Sequence, residues 1–363
     1  MADISVDLLG MLLKNPVMPA AGPPIKDGES AHKAKEGGAG AIVTKTVSVK
    51  AAKVPKPNMA QVKGGFINTE LWSELSLEQW IEKEYPKVVE TGLPVIIGVG
   101  YTSEEIKEVI PQAEQFADAF ELSTHYLGND PTPMINSIKA AKESTDLPVM
   151  VKLSPQVDIP TFAKEAEKAG ADGLVLINSF GPTLDIDFES GKPLLGSENG
   201  FGWLSGQAIF PLALRSVFEA VRSVNIPVVG VGGVSTGKEA VKMIMAGAQA
   251  VQVCTAAILN GPQIYSKIAN EIEKYLDDHG FNSLEEIRGI AQKNTVIQPN
   301  YKLIVPDIND EKCTECGLCV KSCVYDAIHL VKDLHSVRID TNKCAGCGLC
   351  ITRCNFNALS LPL

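Results

Sequence analysis

The most specific chemistry in the chain lies in two cysteine runs near its end. They read Cys313-x-x-Cys316-x-x-Cys319-x-x-x-Cys323 and Cys344-x-x-Cys347-x-x-Cys350-x-x-x-Cys354, and they hold eight of the nine cysteines. Three thiolates at three-residue spacing wrap three corners of one iron–sulfur cube, and the fourth reaches across to the other cube. The spacing therefore predicts one 4Fe-4S cluster on Cys313, Cys316, Cys319 and Cys354, and a second on Cys344, Cys347, Cys350 and Cys323. Val324 and Asn355 stand where a proline often follows the fourth cysteine; that proline shapes the turn and ligates nothing. Zinc motifs seldom place four cysteines in so tight a run twice over. A disulfide framework would need an oxidising compartment, for which nothing in the chain argues. Two clusters side by side form an electron wire, which needs a source or sink.

The candidates for that source lie upstream. Val229-Gly230-Val231-Gly232-Gly233-Val234-Ser235-Thr236-Gly237 opens a helix, and Val253-Cys254-Thr255-Ala256 follows another apolar run. Glycine lets a backbone approach a ligand closely, and loops of this kind at helix N-termini cradle phosphate. A pair of plain tight turns would read the same way. A phosphate site joined to an electron wire asks for a phosphorylated two-electron cofactor, and FMN meets both demands. Lys45 and Lys152 each end an apolar run, where a cation can stabilise negative charge on a reduced flavin. A lysine snorkelling to solvent is the plainer alternative. Asn178 and Ser179, with Asn68 and Glu70, are polar at similar positions and suit a ligand with its own donors and acceptors. Cys254 reads as a small buried residue rather than a nucleophile.

These residues need a scaffold that gathers strand ends. Short apolar runs at Pro16–Ala20, Ala41–Lys45, Pro94–Gly98, Ala117–Leu122, Val149–Leu153, Gly173–Ile177, Pro227–Val231 and Ala250–Val253 read as buried parallel strands. Helical patterns follow most of them, at Ser30–Glu36, Ser103–Phe116, Pro133–Glu143, Thr161–Ala169, Ile209–Val221, Gly237–Ala246 and Gln263–His279. The expected fold is α/β, a (β/α)8 TIM barrel over residues 1–300 with a bacterial-type two-cluster ferredoxin domain at 301–363. A doubly wound sheet would usually place its glycine-rich loop near the first strand, whereas here it follows the seventh. Two connections, 46–93 and 179–207, are too long for simple turns. Loops after barrel strands lie at the face where active sites are built.

Composition narrows the partners. The chain has 363 residues, a net charge of −10 and 45% hydrophobic residues, which fits a globular protein. No basic block suits nucleic acid, and no apolar run is long enough to span a membrane. The N-terminus lacks the basic start and cleavage site of a secretory signal. Free thiolates for clusters point to a reducing compartment, the cytoplasm, and oxygen-labile clusters to an anaerobe or a protected site.

Residues 15 to 280 resemble the flavin barrel of class 1 dihydroorotate dehydrogenases. Barrel and cluster module together resemble the C-terminal part of dihydropyrimidine dehydrogenase, or its separate bacterial subunit. The matching stretches are Asn15-Pro16 with Ala20-Ala21-Gly22, Thr44-Lys45-Thr46, Phe66-Ile67-Asn68-Thr69-Glu70-Leu71, Lys152-Leu153-Ser154-Pro155, Asn178-Ser179, Leu204-Ser205-Gly206-Gln207-Ala208-Ile209 with Pro211 to Arg215, Gly232-Gly233 and Val251 to Thr255. The resemblance implies FMN held by Ala20, Ala21, Lys45, Lys152, Asn178, Gly206, Gly232, Gly233, Cys254 and Thr255. It implies a substrate pocket using Asn68, Glu70, Asn178 and Ser179; Lys45, as a cation at a strand end beside the flavin, is also a catalytic candidate. One departure stands out: at the fourth strand the family carries Asn-Leu-Ser-Cys-Pro, whose cysteine exchanges a proton with the substrate. Here Ser123 replaces the substrate-binding asparagine, Tyr126 aligns with the cysteine and Leu127 with the proline. His125 and Tyr126 are the replacement acid/base candidates; the alternative is that they merely pack in a rebuilt loop.

The reading that follows is an FMN-dependent oxidoreductase acting on a carbon–carbon bond next to a carbonyl or amide, in a small cyclic amide or enone-like substrate. Electrons would pass between FMN and the two clusters, then to a subunit with FAD and NAD(P) or to a ferredoxin, in an oligomer. The alternative is an electron-relay subunit that holds FMN and catalyses nothing, kept open by the missing cysteine.

Overall fold

The computed structural model describes residues 1–123, 127–295 and 301–362. All eight apolar runs form parallel strands: β1 (Val17–Pro19), β2 (Ile42–Val43), β3 (Val95–Val99), β4 (Ala119–Leu122), β5 (Val149–Leu153), β6 (Gly173–Leu176), β7 (Val228–Val231) and β8 (Ala250–Val253). Every residue in them is buried, which is why they read as continuous apolar runs and not as alternating ones. Hydrogen-bonded neighbours run β1-β8-β7-β6-β5-β4-β3-β2, so each strand pairs with the next in sequence and β8 returns to β1. The ring closes between β1 and β2 through one bond, the Gly40 N–H donating to the Val17 carbonyl at 2.8 Å. A Cβ at Gly40 would stand 2.1 Å from the Asn15 carbonyl oxygen, so only glycine permits this approach. The fold is a (β/α)8 barrel.

The crossover helices pack against the strands by amphipathic faces. In Ser103–Ala113 the buried residues are Ile106, Val109, Ile110 and Ala113, an i, i+3, i+4, i+7 stripe. Thr102 and Glu105 close a capping box at its start, which satisfies donors the first turn would otherwise leave open. The expected helices form within two residues of their expected ends, except that Ser103–Phe116 ends as α-helix at Ala113 and tightens into a 3-10 turn over Glu114–Phe116. Residues 46–93 also contain helical structure from Leu77 to Val89, absent from the sequence reading although it buries Trp80 and Tyr85 completely.

The two long connections build a second, antiparallel sheet. Its strands are Phe180–Thr183, Gly202–Ser205, Gly65–Asn68 and Met59–Val62, in that order. The register Trp203 to Asn68, Leu204 to Ile67 and Ser205 to Phe66 zips the connection after β6 onto the one after β2. Met59–Val62 and Gly65–Asn68 form a two-residue hairpin over Lys63 and Gly64, with Gly64 at φ 72°, a left-handed conformation that glycine adopts without a Cβ clash. At the start of the chain, Val6–Leu8 and Met11–Leu13 pair as a hairpin whose inward residues Val6, Leu8, Met11 and Leu13 join the barrel core.

The chain divides into two compact units, Met1–Thr295 and Val296–Leu363. The second has a repeated plan. Helices Leu318–Ser322 and Leu349–Arg353 each follow a left-handed glycine, Gly317 at φ 68° and Gly348 at φ 73°. Ile328–Val331 pairs with Ser336–Ile339, and Asp307–Ile308 with Leu359–Ser360. Its small core is Cys319, Ile328, Val337 and Leu359, meagre for a unit of this size. Domains so short on apolar core commonly rely on metal or disulfide staples.

Candidate active site and cluster module

The strand ends and the antiparallel sheet enclose a cavity of about 460 Å³, within the usual size of a small-molecule site. Ala20 and Ala21 reach it from the end of β1, Lys45 from β2, Ser123 from β4, Lys152 from β5, and Asn178 and Ser179 from β6. Gly232 and Gly233 follow β7, Cys254 and Thr255 follow β8, and Asn68, Glu70 and Gly206 come from the antiparallel sheet and its flanks. The structure thus brings together every sequence-predicted site residue of the barrel that it describes. His125 and Tyr126 lie outside the described residues.

One end of the cavity is made of closely packed backbone. A Cβ on Gly233 would stand 2.7 Å from Phe210 Cβ and 2.8 Å from the Gly206 carbonyl oxygen. One on Gly206 would meet Thr255 Cγ2 at 3.2 Å and Gly65 Cα at 3.3 Å. Gly206, Gly232 and Gly233 all have positive φ, so glycine is needed on conformational grounds as well. Ser205 and Thr255 hydroxyls lie 2.8 Å apart beside it. This bare-backbone cradle with hydroxyls fits a phosphate. The first N–H of the helix Gly237–Met245 is already engaged, donating to Glu271 at 2.6 Å, which leaves Gly232 to Ser235 as the part of that loop lining the cavity.

The charged residues come in pairs. Lys152 Nζ donates to Glu121 Oε1 at 3.1 Å and to Gln252 Oε1 at 3.2 Å, while Gln252 Nε2 donates to Glu121 Oε2 at 2.5 Å. This triangle spans β4, β5 and β8 inside the barrel, and Glu121 is wholly buried. Ser123 Oγ adds a third donor to Glu121, at 3.2 Å. Nearer the antiparallel sheet, Lys45 Nζ lies 2.5 Å from Glu70 Oε2, and Asn58 Nδ2 donates to Glu70 Oε1. Both lysines face the cavity, neither snorkels to solvent, and each has a counter-charge that the sequence reading did not assign. Asn68 is fixed at both ends, accepting from the Glu70 N–H at 3.1 Å and donating to the Trp203 carbonyl at 3.2 Å.

Several lining residues escaped the sequence reading. Tyr101 lies against Trp72 with ring centroids 5.2 Å apart, and burial pushes its phenol above the ordinary value. Glu105 ties this corner together, accepting from Ser48 Oγ at 2.8 Å and the Tyr101 N–H at 3.2 Å. Burial alone would raise its carboxyl, but these donors and Thr102 hold it below the usual range. The missed signal for Glu121 and Gln252 was a polar residue inside an otherwise apolar strand, the pattern that singled out Lys152. The Cys254 thiol faces the cavity and is otherwise enclosed; burial pushes it up to about 11, so it is a neutral thiol at pH 7.

In the second unit, Cys313, Cys316, Cys319 and Cys354 line one small cavity. Three come from the first run and the fourth from the second, the crossed set that the spacing predicts. Cys354 Sγ accepts from the Ala358 N–H at 3.3 Å, and its counterpart Cys323 from the Ala327 N–H at 3.3 Å. Backbone N–H groups aimed at sulfur are one of a protein's means of tuning a cluster. All eight cysteines are free of disulfides. Thiols gathered around a cavity, with N–H donors to their sulfurs, fit an iron–sulfur cluster.

Barrel, cradle and cysteine module together define a flavin-type oxidoreductase barrel joined to a 4Fe-4S ferredoxin domain. Residues 3–276 match the dihydroorotate dehydrogenase family, and residues 312–358 match a 4Fe-4S dicluster domain. The chain is 37% identical over 301 residues to the catalytic subunit of dihydroorotate dehydrogenase B (NAD(+)) from Methanothermobacter thermautotrophicus, covering 79% of this chain and 98% of that one. It is 36% identical to the protein of the same name from Pyrococcus furiosus, covering 80% of this chain and 99% of the other. The Geobacter sulfurreducens counterpart is also 36% identical, with 80% and 98% covered. The chain belongs to the dihydroorotate dehydrogenase family and is an FMN-dependent oxidoreductase acting on CH–CH groups, with an appended 4Fe-4S ferredoxin domain. Family membership favours the enzyme over the relay reading. Among the described residues, no helix is long and apolar enough to cross a membrane.

Proposed function

We propose that residues 1–300 bind FMN and a small cyclic amide or enone-like substrate, and that residues 301–363 hold two 4Fe-4S clusters. The observation that carries this reading is the single cavity at which strand-end residues from around the barrel meet a bare-backbone cradle. In it Gly206, Gly232, Gly233 and Thr255 hold the phosphate end, and Ala20, Ala21, Lys45, Lys152, Asn178 and Cys254 surround the ring system. Bound FMN supplies hydride chemistry toward the substrate and single-electron steps toward the clusters. Lys152 is kept in one position by Glu121 and Gln252, so its ammonium is preorganised without a change of rotamer. Asn68, Glu70, Ser123, Asn178 and Ser179 orient the substrate, and the proton exchanged at its adjacent carbon is assigned to His125 or Tyr126. Cys313, Cys316, Cys319 and Cys354 hold one cluster, and Cys344, Cys347, Cys350 and Cys323 the other.

The far end of the electron path is a separate FAD- and NAD(P)-binding subunit or a ferredoxin, in an oligomeric assembly in the cytoplasm. Support for a separate partner comes from the relatives, which are named as catalytic subunits. The test is anaerobic stopped-flow absorbance with a panel of cyclic enones, dihydropyrimidines and related amides. A productive member changes the flavin band first and the cluster absorbance afterwards. If none changes the flavin while dithionite reduces it fully, the chain is a relay.

A further inference from the structure

The bare-backbone cradle has no counter-charge of its own. Among the described residues lining the cavity, the only cations are Lys45 and Lys152, and each is already paired with a carboxylate. Behind the cradle stands another carboxylate, Glu239, which accepts from Ser235 Oγ at 3.3 Å and from Thr236 Oγ1. A phosphate seated there meets N–H groups and hydroxyls but no unpaired positive charge. The hairpin Met59–Val62 with Gly65–Asn68 lies against the same end. Gln61, Val62, Gly64 and Gly65 line the cavity, and the Ala208 N–H donates to the Gly64 carbonyl at 2.8 Å. A Cβ on Gly65 would stand 3.0 Å from the Ser205 carbonyl oxygen, so the turn is pressed onto the Ser205 to Ala208 side of the cradle. The charged residue of that turn is Lys63. It is exposed, and among the described residues it has no ion-pair partner, whereas Lys56 of the preceding loop is held by Glu74 at 3.1 Å. Residues 47–68 contain four lysines and no acidic residue, in a chain of net charge −10.

We propose that Lys63 is the counter-charge of the cofactor's phosphate, carried on the turn of this hairpin. The inference rests on FMN with its phosphate in the cradle, as assigned in the proposed function. Lysine suits the task, being a point charge with three donors on a flexible four-carbon stem. The stem is rooted between two residues that line the cavity, Val62 and Gly64, and folds back over the turn to the phosphate oxygens that the cradle leaves open. Without a phosphate the ammonium stays in water, so it carries no desolvation cost until the cofactor arrives. Lys242 is the rival cation on this side of the barrel. Its ammonium lies over the Phe210 ring, 6.0 Å from the centroid, and it does not line the cavity. Lys63 is thus a cofactor-binding residue, remote from the reacting atoms.

The test uses the full-length protein with its clusters in place, freed of flavin anaerobically and titrated with FMN and with riboflavin, the same ring and ribityl chain without the phosphate. Binding is read from the change in flavin fluorescence. Lys63→Gln is expected to weaken FMN binding by about fivefold or more and riboflavin binding by less than about twofold. Lys63→Arg, which keeps the charge, should hold FMN affinity within about twofold of the unmodified protein, and Lys242→Gln should leave both flavins unaffected. Added salt should weaken FMN binding more in the unmodified protein than in Lys63→Gln. A smaller loss of FMN affinity in Lys63→Gln overturns the proposal. So does an equal loss for both flavins, which would place the effect on the hairpin and not on the phosphate, or a larger loss in Lys242→Gln. Iron content is measured on the same samples. If neither flavin binds the unmodified protein while its iron is intact, the cofactor assignment itself has failed and the role of Lys63 falls with it.

Discussion

Removing the Glu121 carboxylate should be among the most damaging single changes in the barrel core. Three donors converge on it: Lys152 at 3.1 Å, Gln252 at 2.5 Å and Ser123 at 3.2 Å. In Glu121→Leu the Lys152 ammonium, with only 5% of its side chain exposed, would remain buried without its counter-charge. Breaking a buried ion pair from one side costs about 3–5 kcal/mol. The Ser123 hydroxyl can turn to the cavity, which keeps the loss from growing further. At about 2–4 °C per kcal/mol, the midpoint of thermal unfolding should fall by about 6–20 °C. Lys152→Met strands the carboxylate instead and should cost a similar amount. The double variant leaves no uncompensated charge, so its loss should fall short of the sum by at least about 2 kcal/mol. The assay is urea unfolding of the FMN-loaded protein followed by tryptophan fluorescence, because Trp72, Trp80 and Trp203 all lie in the barrel unit. A Glu121→Leu loss below about 1 kcal/mol, or additivity within about 0.5 kcal/mol, would refute the reasoning.

Three further outcomes follow from the same geometry. Cys354→Ala should damage the cluster on Cys313, Cys316 and Cys319, with which it shares a cavity; magnetic resonance of the reduced variant should lose that cluster and keep the other, and the reverse pattern would contradict crossed ligation. Lys45→Met and Lys152→Met should each lower the flavin reduction potential, since an anionic reduced flavin loses a cation while the paired carboxylate stays; unchanged potentials in both, measured by dye-equilibrated titration, would count against it. The Cys254 thiol is raised from 9.0 to about 11 by burial, so its contribution to stability is complete below pH 9 and is lost as pH rises through 11. Cys254→Ala should therefore flatten the decline in stability between those values, as read from unfolding midpoints across pH.

The barrel was legible because parallel strands buried on both faces leave continuous apolar runs, and because crossover helices keep a 3.6-residue stripe. The 4Fe-4S domain was legible because its cysteine spacing is the chemistry. The antiparallel sheet over the cavity was not: Phe180–Thr183 and Gly202–Ser205 are short and only partly buried, with 18 residues (184–201) between them, so no clean alternation marks them. Helical residues Leu77 to Val89 were hidden by Pro86 and by lying in a stretch that reads as a loop. The paired charges escaped for a different reason. Lys152, Glu121 and Gln252 are far apart in sequence and meet only because β5, β4 and β8 present them to the barrel interior. Spacing identifies the lysine, and only closure of the barrel supplies its partners.

The central claim is that one chain joins a flavin site to two iron–sulfur clusters, and metal and flavin analysis of anaerobically purified protein tests it most directly. The account predicts one noncovalent FMN and about eight irons, with matching sulfide, per chain. Zinc in place of iron, about four irons with no change on reconstitution, or a flavin other than FMN would contradict it.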